Sequence, residues 1–162
     1  IDAGVLTLEF EDAPLRGLVE SCLRGLEAEA HARHVVLEAH MDETIPSVRC
    51  APDKVERVLF NLLTNALRHT PSDGSVAVVV EPLLEEVQVT VEDTGVGMPA
   101  DSLRRMFDRF WRGDPSRSRE TGGAGLGLAI ARGLVEAQGG RIWAENRPNG
   151  GAKISFTLPR AA

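Results

Sequence analysis

The chain has 162 residues, of which 43% are apolar and 26% charged, a composition that is typical of a single globular domain and excludes a disordered or fibrous chain. Its longest uninterrupted apolar run, Val76 to Val80, is far shorter than a membrane span, so we expect no direct membrane contact from this sequence. The net charge of -6 argues against a nucleic-acid surface spread over the whole molecule.

The first third of the sequence predicts two helices and three short strands. Leu6 to Phe10 alternates apolar and polar residues, which is typical of a strand, and Pro14 to Ala30 has its apolar residues at helical spacing. Val35 to Ala39 and Val48 to Cys50 are short strand candidates. Pro52 then opens a second amphipathic helix, which we expect to end near Thr70.

The rest of the sequence continues the alternation of strands and helices. In chain order we predict strands at Val76 to Val80 and Val87 to Val91, a helix at Pro99 to Met106, a long loop at Gly113 to Gly125, a helix at Leu126 to Ala137, and strands at Arg141 to Glu145 and Ala152 to Leu158. Because the strands come in consecutive pairs, an antiparallel or mixed sheet with helices on one face is favoured. Cys22 and Cys50 are too few for a disulfide framework, so we expect two buried thiols.

The second helix carries a polar stripe beside its apolar one. Asn61, Asn65, Arg68 and His69 fall on one side of the helix. Two amides four residues apart can offer oxygens to a hard cation such as Mg²⁺, and Arg68 could meet phosphates. The alternative is a hydrogen-bonded face exposed to solvent.

Asp93 follows the strand Val87 to Val91 and, by the period of two, points with its valines toward the core. A buried carboxylate is costly unless donors meet it. An ionised carboxylate accepts hydrogen bonds but cannot donate them, so it suits the exocyclic amine of adenine and rejects the carbonyl of guanine. Gly95 and Gly97 allow close approach to a flat ligand. The alternative is that Asp93 caps the turn.

A glycine-rich segment, Gly122 to Leu128, enters the last helix, so free backbone N–H groups face whatever the loop encloses. This arrangement favours phosphate binding. A Rossmann dinucleotide site is excluded, because no strand precedes these glycines and their spacing is G-x-G-x-G. Between Arg104 and Arg119, six arginines stand against two acids, which indicates either an anion site or a solvated face.

Four sequence motifs, taken together in their order along the chain, indicate a family. They are Asn61 to Thr70, Asp93 to Gly97, Phe107 to Phe110 and Gly123 to Leu128. These segments resemble the N, G1, F and G2 boxes of sensor histidine kinases, in the order and at the spacing of that family, over Asp53 to Asn146. The chain is therefore similar to the catalytic, ATP-binding domain of a two-component histidine kinase, in the superfamily that includes DNA gyrase and the mismatch-repair ATPases.

The resemblance implies an α/β (α+β) two-layer sandwich. A mixed, largely antiparallel sheet would be covered on one face by three helices, with ATP between the helices under a lid that lies between the third and last helices. Residues 1–162 would form one ATP-binding catalytic domain, and Ile1 to Gly4 would be the tail of a dimerisation helix of a longer protein.

The resemblance also implies a role for each motif residue. Asn65 would coordinate Mg²⁺, Asn61 would support the metal and phosphates, Arg68 would contact phosphate, and His69 would pack near the nucleotide. Asp93 would accept from the adenine amine, with Gly95 and Gly97 shaping the base pocket. The phosphates would be wrapped by the segment containing Gly123, Gly125, Leu126, Gly127 and Leu128. Phe107 and Phe110 would anchor the lid, and Arg109 or Arg112 would stabilise the γ-phosphoryl group.

Asn61 stands where the hydrolytic ATPases of the superfamily carry a glutamate that activates water. An amide cannot act as a general base, so we expect slow hydrolysis. The family's nucleophile is a histidine on a separate dimerisation helix. The four histidines here, His31, His34, His40 and His69, lack the acceptor motif.

The expected function is therefore transfer of the γ-phosphoryl group of Mg-ATP to a histidine on the dimerisation domain of the parent kinase, with a response regulator downstream and no nucleic-acid partner. The expected location of this domain is the cytoplasm. The sequence leaves open whether the parent sensor spans the inner or plasma membrane. The alternative is a nucleotide-binding regulatory module that has lost phosphotransfer.

Overall fold

A computed structural model describes residues 8–108 and 127–162 of the chain. The elements it contains are β1 (Glu11–Ala13), α1 (Leu15–Ala32), β2 (Val36–Met41), β3 (Val48–Cys50), α2 (Pro52–His69), β4 (Ser75–Pro82), β5 (Glu86–Asp93), α3 (Ala100–Arg105), α4 (Gly127–Ala137), β6 (Ile142–Asn146) and β7 (Ala152–Pro159).

The two long helices follow the apolar spacing of their sequences. In α1 the buried residues recur every three or four positions from Leu15 to Ala30, and Pro14 precedes the helix in an extended conformation. In α2 Pro52 occupies the first turn, where its missing N–H removes no helical hydrogen bond, and Asp53 lies near the positive end of the helix dipole. Both helices therefore bury one face and expose the other.

Five strands form one sheet in the order β2-β4-β5-β7-β6. β2 runs parallel to β4, and the other neighbouring strands of this sheet are antiparallel. β1 and β3 form a separate antiparallel pair. The end of the chain extends this pair, because Ala161 donates its backbone N–H to the carbonyl of Ser47 at 2.9 Å.

The core lies between one face of the sheet and the helices α1, α2 and α4. Inward residues of the central strands, such as Val78, Val91 and Phe156, are fully or almost fully buried against these helices. The opposite face of the sheet mixes polar side chains with apolar ones such as Val79 and Trp143, and the hydroxyls of Thr90 and Ser155 share a hydrogen bond of 2.9 Å there. The two-layer sandwich with a mixed, largely antiparallel sheet and three helices on one face is confirmed.

The first predicted strand is wrong. Leu8, Glu9 and Phe10 lie outside any strand, and the strand is Glu11–Ala13. Alternation alone does not make a strand, because the backbone needs a partner. The three residues of β3 pair with Glu11–Ala13 instead. The proposed helix tail, Ile1 to Gly4, lies outside the described residues.

The prediction that Cys22 and Cys50 are buried thiols is confirmed. Both are free and buried, and burial raises the pKa of each thiol to about 11. Across residues 8–108 and 127–162, no helix combines the length and the apolar character that crossing a membrane requires.

Candidate functional site

Asp93 ends β5 and points into the core side of the sheet, as its position in the strand predicts. The residue is 8% exposed, and its backbone lies opposite Val76 of β4. Oδ1 accepts hydrogen bonds from the N–H groups of Gly95, at 2.9 Å, and Ala152, at 3.2 Å. Oδ1 thus caps the turn, whereas within the described part of the chain no residue donates to Oδ2.

The environment of Asp93 acts on its pKa in both directions. Burial raises the pKa above the ordinary value of 3.8 because it penalises the charged form. The N–H donors of Gly95 and Ala152 and the positive charge of Arg147 offset part of this effect. The result is a carboxyl group with one oxygen fixed by the backbone and the other available to a donor.

The loop after Asp93 needs glycine at two positions. A Cβ at Gly95 would collide with the carbonyl oxygen of His69, which brings the end of α2 directly against this loop. Gly97 has φ of +82°, and a Cβ there would lie 3.0 Å from Oδ1 of Asn146. Val96, between them, is 92% exposed. Position 95 therefore has no room for a side chain, and position 97 has a backbone conformation that disfavours one.

The polar stripe of α2 runs along the same region. Asn61, Asn65 and His69 are half-buried, and Arg68 is exposed. Nδ2 of Asn61 donates to the carbonyl of Gly127 at 3.3 Å, which joins this stripe to the first turn of α4. For the amide of Asn65 and the guanidinium of Arg68, residues 8–108 and 127–162 supply no hydrogen bond or ion pair.

Contacts at the two ends of the stripe define the extent of the candidate site. Asn61 contacts Gly127, and His69 contacts Gly95, eight residues further along α2. At 1.5 Å per residue these two contacts are about 12 Å apart along the helix axis. The structure therefore brings Asn61, Asn65, His69, Gly95 and Gly127 to one side of α2, with the N-terminus of α4 at one end and Asp93 beyond the other.

Two further residues from the predicted motifs have described positions at this side of the fold. Leu128, in the first turn of α4, and Phe107, after α3, are partly buried and pack against the hydrophobic core. They pack on the core on either side of residues 109–126, which include the segment predicted to be the lid. The remaining predicted site residues, Arg109, Arg112, Gly123, Gly125 and Leu126, and Phe110 of the third motif, lie outside the described residues.

The turn between β6 and β7 contributes residues that sequence reasoning missed. Arg147 donates from a guanidinium nitrogen to the carbonyl of Asp93 at 3.0 Å, and the N–H of Ala152 reaches its Oδ1. Gly151 has φ of +90°, and a Cβ there would collide with the same carbonyl of Asp93. Asn146 bonds both backbone groups of Met98. The Asn-Gly-Gly sequence at 149–151 indicates a tight turn, but nothing local indicates that this turn packs on residues 93–98.

The chain also resembles known proteins over the residues that form the candidate site. A family model described as histidine kinase-, DNA gyrase B-, and HSP90-like ATPase matches residues 50–162. The sensor histidine kinase WalK of Bacillus subtilis (strain 168) is 40% identical over 129 residues, which cover 78% of this chain and 21% of WalK. The adaptive-response sensory kinase SasA of Synechococcus sp. (strain JA-2-3B'a(2-13)) is 35% identical over 158 residues, 97% of this chain and 41% of SasA.

Solved structures of similar fold include the catalytic domain of a histidine kinase and the full-length protein ShkA. The nucleotide-free catalytic domain of histidine kinase ThkA superposes with a TM-score of 0.84 at 27% identity, covering 94% of this chain and 97% of ThkA's domain. Full-length ShkA in complex with AMPPNP gives a TM-score of 0.85 at 26% identity, covering 99% of this chain and 33% of ShkA. The chain thus spans between a fifth and two fifths of the length of WalK and SasA.

Proposed function

The chain belongs to the family of histidine kinase-, DNA gyrase B- and HSP90-like ATPases, and from this premise we propose that it binds ATP with Mg²⁺ and donates the γ-phosphoryl group to a histidine of a sensor kinase. The acceptor histidine lies on the dimerisation domain of the parent protein. A response regulator then receives the signal, and the domain works in the cytoplasm.

The single observation that carries this proposal is the hydrogen bonding of the Asp93 carboxyl group. Its Oδ1 is held by the N–H groups of Gly95 and Ala152, and its Oδ2 accepts from no residue of the described ranges. An ionised carboxylate in that position accepts from the exocyclic amine of adenine, whereas the guanine carbonyl would face it as a second acceptor. Asp93 therefore selects adenine nucleotides.

The phosphate end of the site is the first turn of α4. The described part of α4 is the eleven-residue helix Gly127–Ala137, and the N-terminal end of a helix has N–H groups without helical partners and the positive end of the dipole, which favours phosphate. Gly127 has no Cβ that could shield these groups, and among residues 8–108 and 127–162 nothing outside the helix lies within 4 Å of where one would be. Arg68 lies seven residues beyond Asn61, nearer the Asp93 end of the stripe, and in this proposal its exposed side chain contacts phosphate from there. Gly123, Gly125, Arg109 and Arg112 complete the phosphate site in this proposal.

Asn65 is the residue that would hold Mg²⁺. Its amide is half-buried on the stripe and has no hydrogen-bond partner in the described chain, so its oxygen is free to bind a ligand. Within those residues no cluster of three or more His, Cys, Asp or Glu side chains forms a metal cage. The chemistry fits Mg²⁺, which commonly binds one or two protein oxygens and takes its other ligands from phosphates and water. The ion would neutralise phosphate charge when bound.

Asn61 favours phosphotransfer over hydrolysis. Its amide has no basic site that could take a proton from water, and its Nδ2 is engaged with the carbonyl of Gly127. The residue therefore holds the start of α4 in place without activating water. ATP that is bound and not hydrolysed remains available to another nucleophile.

Two structural relatives support the partners of this proposal. ThkA has been solved in complex with the response regulator TrrA, and ShkA with AMPPNP. In the present chain His31, His34 and His40 are exposed, but none has the sequence of an acceptor site. The acceptor must then come from another part of the parent kinase.

A labelling experiment tests the function. The chain is incubated with Mg²⁺ and ATP labelled in the γ-phosphate, alone and with the parent's dimerisation domain added in trans. We expect an acid-labile phosphohistidine on the added domain and none on the chain. Labelling of the chain itself would contradict the assignment of the acceptor, and nucleotide binding without any transfer would favour the regulatory module instead.

A further inference from the structure

The last residue of β6 holds the loop after Asp93 through its side chain. Oδ1 of Asn146 accepts from the N–H of Met98 at 2.8 Å, and Nδ2 of Asn146 donates to the carbonyl of Met98 at 2.8 Å. These are the two bonds that a paired residue of a neighbouring antiparallel strand would make with its backbone. The amide of Asn146 thus takes the place of a strand at the end of this loop.

The loop is fixed at both ends by this arrangement. At its start, Oδ1 of Asp93 accepts from the N–H of Gly95, and at its end Asn146 holds Met98. Gly97 lies in between with φ of +82°, and because glycine has no Cβ it avoids the close contact of 3.0 Å that a Cβ there would make with Oδ1 of Asn146. Met98 also packs against the hydrophobic core. The four residues from 95 to 98 therefore have one defined path past the carboxyl group of Asp93.

Asn146 itself contributes little to the core. Its side chain is exposed, and it lies at the end of an edge strand, so removing its amide leaves no buried cavity. Its two bonds go to backbone groups of a loop that is otherwise free of strand pairing. The effect of the residue should then be local to that loop.

We propose that Asn146 is a positioning residue for the adenine site. By holding Met98, its amide keeps residues 95–98 in the conformation that leaves Oδ2 of Asp93 open to the base. This inference rests on the proposed function, because it assigns a role in binding the same nucleotide. Asn146 makes no contact with the nucleotide in this proposal and acts through the loop.

The test compares Asn146→Ala, which removes both bonds, with Asn146→Asp, which keeps the acceptor for the N–H of Met98 and loses the donor. The control is Asn149→Ala, a second exposed asparagine of the same turn whose side chain makes no hydrogen bond in the described residues. Two quantities are measured: hydrogen exchange at the Met98 amide without nucleotide, and the dissociation constants for ADP and GDP by calorimetry.

We expect Asn146→Ala to speed hydrogen exchange at Met98. If the fraction of molecules with the loop in its binding conformation falls to about a tenth, ADP binding should weaken about tenfold. GDP binding should change less, so that discrimination between the two bases falls. Asn146→Asp should keep Met98 protected and lose less affinity for ADP. The free energy of unfolding of Asn146→Ala should fall by no more than the cost of a tenfold shift in the loop population, about 1.4 kcal/mol, and that of Asn149→Ala should match the wild type. A larger fall in Asn146→Ala would indicate a general structural role.

The outcomes separate the inference from the proposed function. If the wild type and Asn149→Ala bind ADP and Asn146→Ala binds it equally well, the inference is overturned and the proposed function stands. If the wild type does not bind ADP, the proposed function fails and the inference fails with it. Should Asn146→Ala not fold, Asn146→Asp provides the same comparison, and unchanged ADP binding with unprotected Met98 would overturn the inference.

Discussion

The carbonyl oxygen of His69 occupies the space that a side chain at Gly95 would need. His69 is the last residue of α2, and Gly95 is the second residue after β5, so this contact joins the polar stripe of the helix to the loop at the base site. Because the obstructing atom of His69 belongs to the backbone, a change of side-chain rotamer cannot relieve the clash.

Substituting Gly95 should therefore disturb both the fold and the site. We expect Gly95→Ala to lower the free energy of unfolding by about 1–3 kcal/mol, which is typical of overpacking, and to weaken ADP binding. Urea denaturation and calorimetry measure the two effects.

The matched control is Gly17→Ala, an exposed position inside α1 where a Cβ would meet nothing within 4 Å. This variant should gain about 0.5–1 kcal/mol of stability from its higher helix propensity and leave ADP binding unchanged. Equal stability changes in the two variants would show that the His69 contact does not constrain position 95.

Asn65 should control the effect of Mg²⁺ on nucleotide binding. Asn65→Ala removes the amide oxygen, so the gain in ADP affinity on adding Mg²⁺ should disappear while affinity without metal stays near that of the wild type. Asn65→Asp keeps an oxygen ligand and should retain the gain. Calorimetry with and without Mg²⁺ measures it, and full enhancement in Asn65→Ala would rule out this residue as a ligand.

The raised pKa of Asp93 predicts opposite pH responses of binding and stability. Because the folded-state pKa lies above 3.8, Asp93 takes up a proton on acidification before an ordinary aspartate does. Adenine then loses its acceptor, and ADP affinity should fall as the pH drops through the folded-state pKa. Over the same pH range, protonation of Asp93 contributes stability to the folded state, and this contribution is lost as the pH rises.

Asp93→Asn separates these responses from other titrating groups. The variant has no carboxyl group at this position, so its residual ADP affinity should lack the part of the pH dependence that belongs to Asp93. The stability of the wild type relative to the variant should rise as the pH falls. Identical pH profiles of ADP affinity in the two proteins, scaled by a constant factor, would contradict the assignment.

The sequence predicts most of this fold because apolar spacing reports burial directly. The stripes of α1 and α2 and the alternation of β5 are local patterns, and the inward direction of Asp93 follows from the valines before it. The first strand lies further along the chain than its alternation predicts, because its partner, β3, is more than thirty residues away. Pairing over that distance leaves no local pattern.

The supporting residues of the site escaped prediction for the same reason. Asn146 and Met98 are 48 residues apart, and Arg147 and Asp93 are 54 apart, yet each pair is in hydrogen-bond contact. β5 and β7 are neighbours in the sheet, which brings the turn after β6 against the loop after β5. These contacts can be predicted only once the order of the strands in the sheet is known.

The central claim is that Asp93 holds an adenine nucleotide through Oδ2, and the most direct measurement is the calorimetric titration of Asp93→Asn with ADP. An asparagine can still accept from the N–H groups of Gly95 and Ala152 through its oxygen, and it removes a buried charge, so the variant should remain folded with an unfolding free energy at pH 7 at least equal to that of the wild type. Its Nδ2 then faces the adenine amine as a second donor, and ADP affinity should collapse. A folded Asp93→Asn variant that binds ADP as tightly as the wild type would contradict the account.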